Sequence, residues 1–393
     1  MRDNLISFNE NNISVPVILG GAALTPNFVN KDCSHIYKGQ LIYGKDAFTD
    51  LKFIEEYSYA LEKGNWDDFK GFLDGTPKGI ILGEAYKEGI QTEKGKNQLT
   101  LSNKQKESET LKGLNTSRSS LIKEENSIQP PFIGYKILSG IDIPIDNLIY
   151  YLDKKALFSG QWQFKKTREQ NSDDYKRFLN NKAEPILDYW LKKIKDESIL
   201  KPAVTYGYFR CGRKGNTLDI YDSKGDKKLT QFIFPRQKSG KRLCIADFYR
   251  DSLNSIPQDY IPMQAVTMGV NASKYSRILY ENNNYTDYLY FHGLAVQLAE
   301  ALAEWTHSLI RKECGFLSEE PNNNKDILAQ KYRGCRFSFG YPACPNVSDS
   351  SIQLELLNSH KIDLTIDKSD QLHPEQSTTA IVSFHSQARY FSA

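Results

Sequence analysis

No stretch of this 393-residue chain reaches the roughly 20 consecutive apolar residues that a bilayer crossing requires. Its opening, MRDNLISFNENN, has no apolar signal-peptide core, so nothing in it directs export. Charge of one sign is also lacking: 51 Lys and Arg against 48 Asp and Glu leave a net +3. A balance this close to neutral excludes an electrostatic grip on nucleic acid or on an anionic membrane as the main activity. The six cysteines (Cys33, Cys211, Cys244, Cys314, Cys335, Cys344) include no pair separated by two residues, and the six histidines form no HExxH or HxH. Structural zinc and zinc-hydrolase chemistry are thereby excluded. The expectation is a cytoplasmic protein whose thiols are reduced and mostly buried.

What is present is aromatic. Twenty-three Tyr and 20 Phe within a 39% hydrophobic composition provide for a substantial core, and the length calls for two folded units. Segment 14–21, SVPVILGG, reads as a short buried strand ending in a glycine pair. Thr25-Pro26 then opens a helix to about Tyr37, residues 41–44 form a second strand, and a helical pattern runs from Asp46 to about Leu61. That order is the tail of a doubly wound α/β sheet, too short to form one alone. Residues 92–127 are rich in Lys, Glu, Ser, Asn and Thr and hold no aromatic residue, the composition of a mobile linker. The expected organisation is an incomplete α/β segment over 1–75, a flexible linker over 76–130 and a larger unit over 131–393.

The larger unit is expected to be α+β, with a twisted antiparallel sheet and flanking helices. Helices are expected at 153–159, 172–197 and 285–314, the last with Tyr288, Phe291, Leu294, Leu298, Leu302 and Trp305 on one face. Strands are expected at 203–210, 217–222, 229–234, 243–246, 262–270, 352–355, 361–365 and 379–384.

Several residues stand out chemically. The run Arg336-Phe337-Ser338-Phe339-Gly340-Tyr341-Pro342-Ala343-Cys344-Pro345 implies a stiff irregular loop whose arginine offers a forked cation to a carboxylate or phosphate. A rigid turn bearing a surface arginine is the equal alternative. Glu300 and Glu304 lie one helical turn apart, either as a solvated face or, if inward, as carboxylates needing a cationic partner. Asp153 precedes a short helical run and suits an N-cap. The tail His385-Ser386-Gln387-Ala388-Arg389-Tyr390-Phe391 either closes the sheet by packing or stacks on a flat ligand.

Together these strings resemble a known family. Asn284-Tyr285-Thr286-Asp287-Tyr288, Phe291-His292-Gly293-Leu294, Ala299-Glu300-Ala301, Glu304-Trp305 and His307, followed by Arg336 through Pro345, are similar to the reactivation domain of cobalamin-dependent methionine synthases. So are Arg210-Cys211-Gly212-Arg213, Pro235-Arg236-Gln237, Ala246-Asp247-Phe248 and Asp259-Tyr260, and the resemblance runs from near residue 131 to the end. Residues 14–61 resemble the last strand–helix units of the cobalamin-binding domain, with Gly20 and Gly21 as the glycine pair against the corrin. Leu157-Phe158-Ser159-Gly160-Gln161-Trp162 resembles bacterial versions of the enzyme.

The resemblance implies S-adenosylmethionine as ligand and repair of cobalt oxidised to Co(II): a flavodoxin or ferredoxin-type reductant gives one electron, and S-adenosylmethionine methylates the resulting Co(I). Carried over by position, Asp153 holds the ligand ammonium and Arg336 its carboxylate. Glu300 is the helix carboxylate at the pocket, with Glu304 as its substitute. Tyr341 reaches toward corrin and sulfonium, and Tyr390 and Phe391 lie beside the adenosine. The family's lower cobalt ligand, a histidine in Asp-x-His-x-x-Gly, has no counterpart, because His35 lacks that spacing; the zinc cysteines for homocysteine and the folate barrel are absent too.

The expectation is therefore a C-terminal part of such an enzyme that contacts cobalamin without holding it alone. Its partners are then the missing N-terminal homocysteine, folate and cobalamin modules, with neither nucleic acid nor membrane among them. A non-catalytic S-adenosylmethionine-binding module, acting with a separately encoded protein, is the alternative. The basic 201–242 stretch is interleaved with Asp219, Asp222 and Asp226 and reads as solvated hairpins.

Overall fold

The structure, a computed structural model, describes residues 2–20, 27–44, 47–64, 80–82, 117–167 and 170–393. The chain divides into two compact units, Met1–Glu109 and Thr110–Ala393. No helix among the described residues is long and apolar enough to cross a membrane.

In the first unit, helix α1 (Arg2–Glu10) precedes strand β1 (Val17–Gly20), a wide π-type turn (Phe28–Cys33), strand β2 (Gln40–Gly44), helix α2 (Ala47–Lys63) and strand β3 (Ile80–Leu82). β1 and β2 pair in parallel from Val17↔Leu41 to Gly20↔Gly44, and β3 adds antiparallel to the other edge of β2. Leu5, Leu19, Val29, Cys33, Tyr37 and Leu41 form its small core. The strand–helix–strand–helix order is thus present, with three differences. The helix expected over 25–37 is only a turn, Thr25-Pro26 lie outside the described residues, and β3 falls in the stretch assigned to the linker. Helix α1 was not anticipated: its residues belong to a segment read as a polar start, yet Leu5 anchors it at 1% exposure.

The second unit is built on one sheet of seven strands: β4 (Gly134–Ser139), β5 (Ala203–Lys214), β6 (Thr217–Tyr221), β7 (Lys228–Ile233), β8 (Asp259–Thr267), β9 (Cys335–Phe337) and β12 (Ser377–Ser383), the two-residue strands β10 (Thr365–Ile366) and β11 (Leu372–His373) pairing separately. The order is β7-β6-β5-β8-β12-β9, with β4 also on β5, and every pairing is antiparallel.

Helices α3 (Ile145–Tyr151), α4 (Ser172–Asp196), α5 (Val270–Glu281) and α6 (Tyr285–Glu313) cover one face. Because side chains alternate along a strand, Val204, Tyr206 and Tyr208 of β5 meet those helices, while Ala203, Phe209 and Cys211 enter a second core with Phe232, Phe248, Phe337 and Leu354. β5 is buried on both faces over most of its length, and from Ala203 to Phe209 only Thr205 and Gly207 interrupt its apolar residues.

The expected α+β architecture is observed, with local corrections. Residues 243–246 and 352–355 are not strands: a 3-10 turn occupies Ile245–Phe248 and helix α8 occupies Asp349–Leu356, after the short helix α7 (Asn324–Leu328). Apolar runs this short carry no period able to separate helix from strand. The 361–365 strand reduces to Thr365–Ile366 after a turn at Ser359–Ile362, and α5 was not anticipated.

The linker expectation also changes where the structure describes it. Residues 117–130 form a strap packed on the second unit. Ile122 is buried in its core, and Arg118 donates to the carbonyls of Asp247 and Tyr249. Ser119 donates its amide to Asp247 Oδ2 (3.1 Å), and Ser127 its hydroxyl to Asp259 Oδ1 (2.7 Å). Glu125 pairs with Arg333 at 2.8 Å and accepts from the Ser386 amide at 3.1 Å. A polar composition concealed these contacts because nearly all of them are made by polar groups rather than by an apolar stripe.

Candidate functional site

Arg336 lies on a strand, β9, and not in the loop the sequence suggested. The register Phe337↔Ile381, Arg336↔Val382, Cys335↔Ser383 sets its direction. Cys335 and Phe337 point into the second core, so Arg336, between them, points to the opposite face, where α6 packs. There its Nη1 lies 3.0 Å from Glu304 Oε2, an ion pair whose angles do not make a hydrogen bond. No acceptor among the described residues takes a hydrogen bond from this largely buried guanidinium. A buried cation with unspent donors is a site for an anion with two oxygens.

The Asp153 segment reaches the same helix. At 100° per residue, Gly293, Glu300, Glu304, Ser308 and Arg311 form one stripe along α6. Tyr151 lies beside Ser308 near one end of that stripe. Near the other end a turn (Ala156–Gln161) closes on Gly293, where a Cβ would stand 2.9 Å from Gln161 Cβ, and Trp162 donates its indole N–H to Tyr290 O at 3.0 Å. Asp153 lies between these anchor points. Its Oδ1 accepts from the amides of Lys155 (2.9 Å) and Ala156 (3.0 Å), the capping role read from sequence, while Oδ2 accepts no hydrogen bond among the described residues.

Glu300 is exposed on this stripe and is felt electrostatically by Arg336, whereas Glu304 is 5% exposed and makes the direct contact. Of the two carboxylates weighed from sequence, the second is therefore the arginine's partner. Tyr341 and Tyr390 are both about half exposed, and they neighbour each other beside Cys335 and Cys344. Tyr341 borders a groove of about 530 Å³ with His292, Val296, Phe339 and His373. Phe391 takes the packing role: at 8% exposure it sits edge-on to Phe248 and Phe337 in the second core, so it offers no face to a ligand.

The remaining strings form structure. Arg236 grips Asp247 with both nitrogens (2.5 and 2.7 Å), and Arg213 approaches the same carboxylate at 3.3 Å. Asp247 has no solvent exposure, so this cluster ties β5, the Ile245–Phe248 turn and the strap together. All six cysteines are free. Burial pushes the Cys344 thiol up to about 12, and it donates to Ser338 O, an inert packing role. In the first unit Gly20 ends β1 at the C-terminal edge of the parallel pair, where open α/β sheets receive ligands, and it is exposed; Gly21 lies outside the described residues. No group of His, Cys, Asp and Glu among the described residues is arranged to hold a metal ion.

Tyr332 was missed by sequence reasoning; it carries a hydroxyl to Glu304 Oε2 at 2.9 Å. A lone tyrosine in a polar loop gives no signal of that contact.

Comparison with known proteins identifies the family. Residues 144–393 match the family described as vitamin B12 dependent methionine synthase, activation domain. The whole chain is 35% identical over 406 residues to methionine synthase of Mycobacterium tuberculosis and 34% identical over 407 residues to that of Mycobacterium leprae. It spans about a third (33%) of the length of each. A crystal structure of the MetH reactivation domain bound to AdoHcy superposes with a TM-score of 0.60 at 23% identity, covering 68% of this chain and 83% of that one, a likeness of fold. With the family match extending over most of its length, the chain belongs to the vitamin B12-dependent methionine synthase family and carries its activation domain.

Proposed function

We propose that the second unit binds S-adenosylmethionine between the Asp153 segment, α6 and β9, and that the chain serves within a methionine synthase to remethylate its cobalamin. The observation that carries this reading is the buried Arg336 guanidinium, charge-held by Glu304 at 3.0 Å with donor capacity left over. A ligand carboxylate completes that fork, and Asp153 Oδ2 supplies the negative partner for its ammonium. Tyr341 and Tyr390, half exposed at the rim, suit a sulfonium and an adenine face. That a fold relative is described as bound to AdoHcy supports the same ligand class.

Bound S-adenosylmethionine would supply the methyl group, with one electron from a flavodoxin or ferredoxin-type reductant, to oxidised cobalamin, releasing S-adenosylhomocysteine. The residues of this chain bind, align and exclude water, and a transfer between two bound groups requires no side-chain acid or base. Tyr341 is the cobalamin-facing position of the second unit in this reading. The chain covers a third of its relatives' length, and in this reading the homocysteine, folate and remaining cobalamin modules lie outside it and the assembly works in the cytoplasm.

Calorimetry of the 393-residue chain with S-adenosylmethionine, followed by methylation of reduced cobalamin supplied in trans, tests this. Binding with transfer supports the reading. Binding without transfer reduces the chain to a binding module, and no binding overturns the proposal.

A further inference from the structure

Glu304 is buried at 5% exposure at the centre of a chain of largely buried charges. Its Oε2 accepts from the Tyr332 hydroxyl (2.9 Å) and faces Arg336 Nη1 (3.0 Å), while Oε1 lies 3.5 Å from Arg311 Nη2. Arg311, 1% exposed, lies 3.7 Å over the Tyr332 ring and forks onto Glu320 at 2.7 and 2.6 Å. Glu320 in turn accepts from Ser308 at 2.7 Å. Burial works to raise the Glu320 carboxyl, but hydrogen bonds from Arg311 and Ser308 hold it below the usual range. Two cations and two anions make the row neutral, and in so dry a setting each orients its neighbour strongly.

Resting on the assignment of Arg336 as carboxylate ligand, we propose that Glu304 is its positioning residue. The row Glu320–Arg311–Glu304 anchors one edge of the Arg336 guanidinium so that the other edge meets an α-carboxylate, making the site selective for amino-acid-bearing sulfonium nucleosides. Glu304 acts through Arg336 and touches no ligand. His307, also on α6 and fully buried with neither ring nitrogen bonded among the described residues, is held neutral by burial and then by Arg311 and Arg336, so it does not compete for the carboxylate.

The test is calorimetry of the 393-residue chain against S-adenosylmethionine and against its decarboxylated counterpart, which keeps the sulfonium and ammonium. Glu304→Gln is expected to weaken S-adenosylmethionine binding by about tenfold while leaving the decarboxylated compound within about twofold of its wild-type affinity. Glu304→Asp is expected to restore part of the loss. Should Glu304→Gln fail to fold, Tyr332→Phe removes only the hydroxyl bond and is expected to show the same selective loss at about threefold. Equal weakening of both ligands marks a merely structural role and overturns the proposal, as do unchanged or tightened binding. Wild-type affinity in Arg336→Ala would instead sink the carboxylate assignment itself; loss in Arg336→Ala with none in the Glu304 and Tyr332 variants sinks the positioning role alone.

Discussion

Arg336 stands opposite Val382 across the antiparallel pair β9–β12, and that register turns its side chain away from the Phe337 core and onto Glu304 of α6. A shift by one residue would place Cys335 or Phe337 against the helix and the guanidinium in an apolar core. The aim of the arginine is thus a property of strand pairing, and it explains why a three-residue strand belongs to the site.

Arg336→Ala is expected to weaken S-adenosylmethionine binding by roughly 1.5–3 kcal/mol, the loss of a charge-assisted hydrogen bond. Arg336→Lys should recover only part, because an ammonium cannot reproduce the fork. Isothermal calorimetry reads both, and undiminished affinity in the alanine variant removes the assignment.

Asp153 combines a cap with a charge, and two substitutions separate them. Asparagine still accepts from the Lys155 and Ala156 amides, so Asp153→Asn should hold the melting temperature and weaken the ligand about tenfold. Asp153→Ala should in addition lower stability by roughly 1 kcal/mol. A pure capping residue would show the stability effect of the alanine change and no affinity change in the asparagine variant.

The strap makes a prediction about stability. Ile122→Ala should destabilise the chain by roughly 2–4 kcal/mol in urea unfolding, since Ile122 is 7% exposed in the second core. In a solvated linker the same change would stay within about 0.5 kcal/mol.

Asp349 predicts a pH dependence. Burial pushes its carboxyl up to about 6, against a hydrogen bond from Asn346 that works the other way. Its folded value lies above its unfolded one, so the contribution to stability is fully present below about pH 4 and is lost as pH rises through about 6. Relative to Asp349→Asn, the wild type should therefore lose melting temperature between about pH 4 and pH 7. A constant difference across that range would show that this carboxyl does not titrate abnormally.

The long helices were legible because a 3.6-residue apolar period sustained over 25 and 29 residues has no competing explanation. The central strands were legible from their β-branched and aromatic runs, and the Arg336–Pro345 string was specific enough to point to its family. The failures have two causes. Residues 243–246 and 352–355 were too short to show a period, and the strap and α1 owe their places to partners distant in sequence, such as Asp247, Asp259 and Arg333 for the strap. Phe391 could pack or stack by its chemistry alone, and only the nearness of Phe248 and Phe337 decided between them.

What the amino-acid order determined by itself was the inventory: which residues are able to bear charge, where long elements run, and which strings resemble a family. Only the tertiary structure decided that Glu304 rather than Glu300 meets Arg336, that Tyr332 and Arg311 support it, and that the segment around Asp153 packs on the same helix. Local sequence sets backbone preference and periodicity, whereas the partner of a buried charge is chosen by which elements pack against each other, and that information is spread over the residues from Tyr151 to Val382.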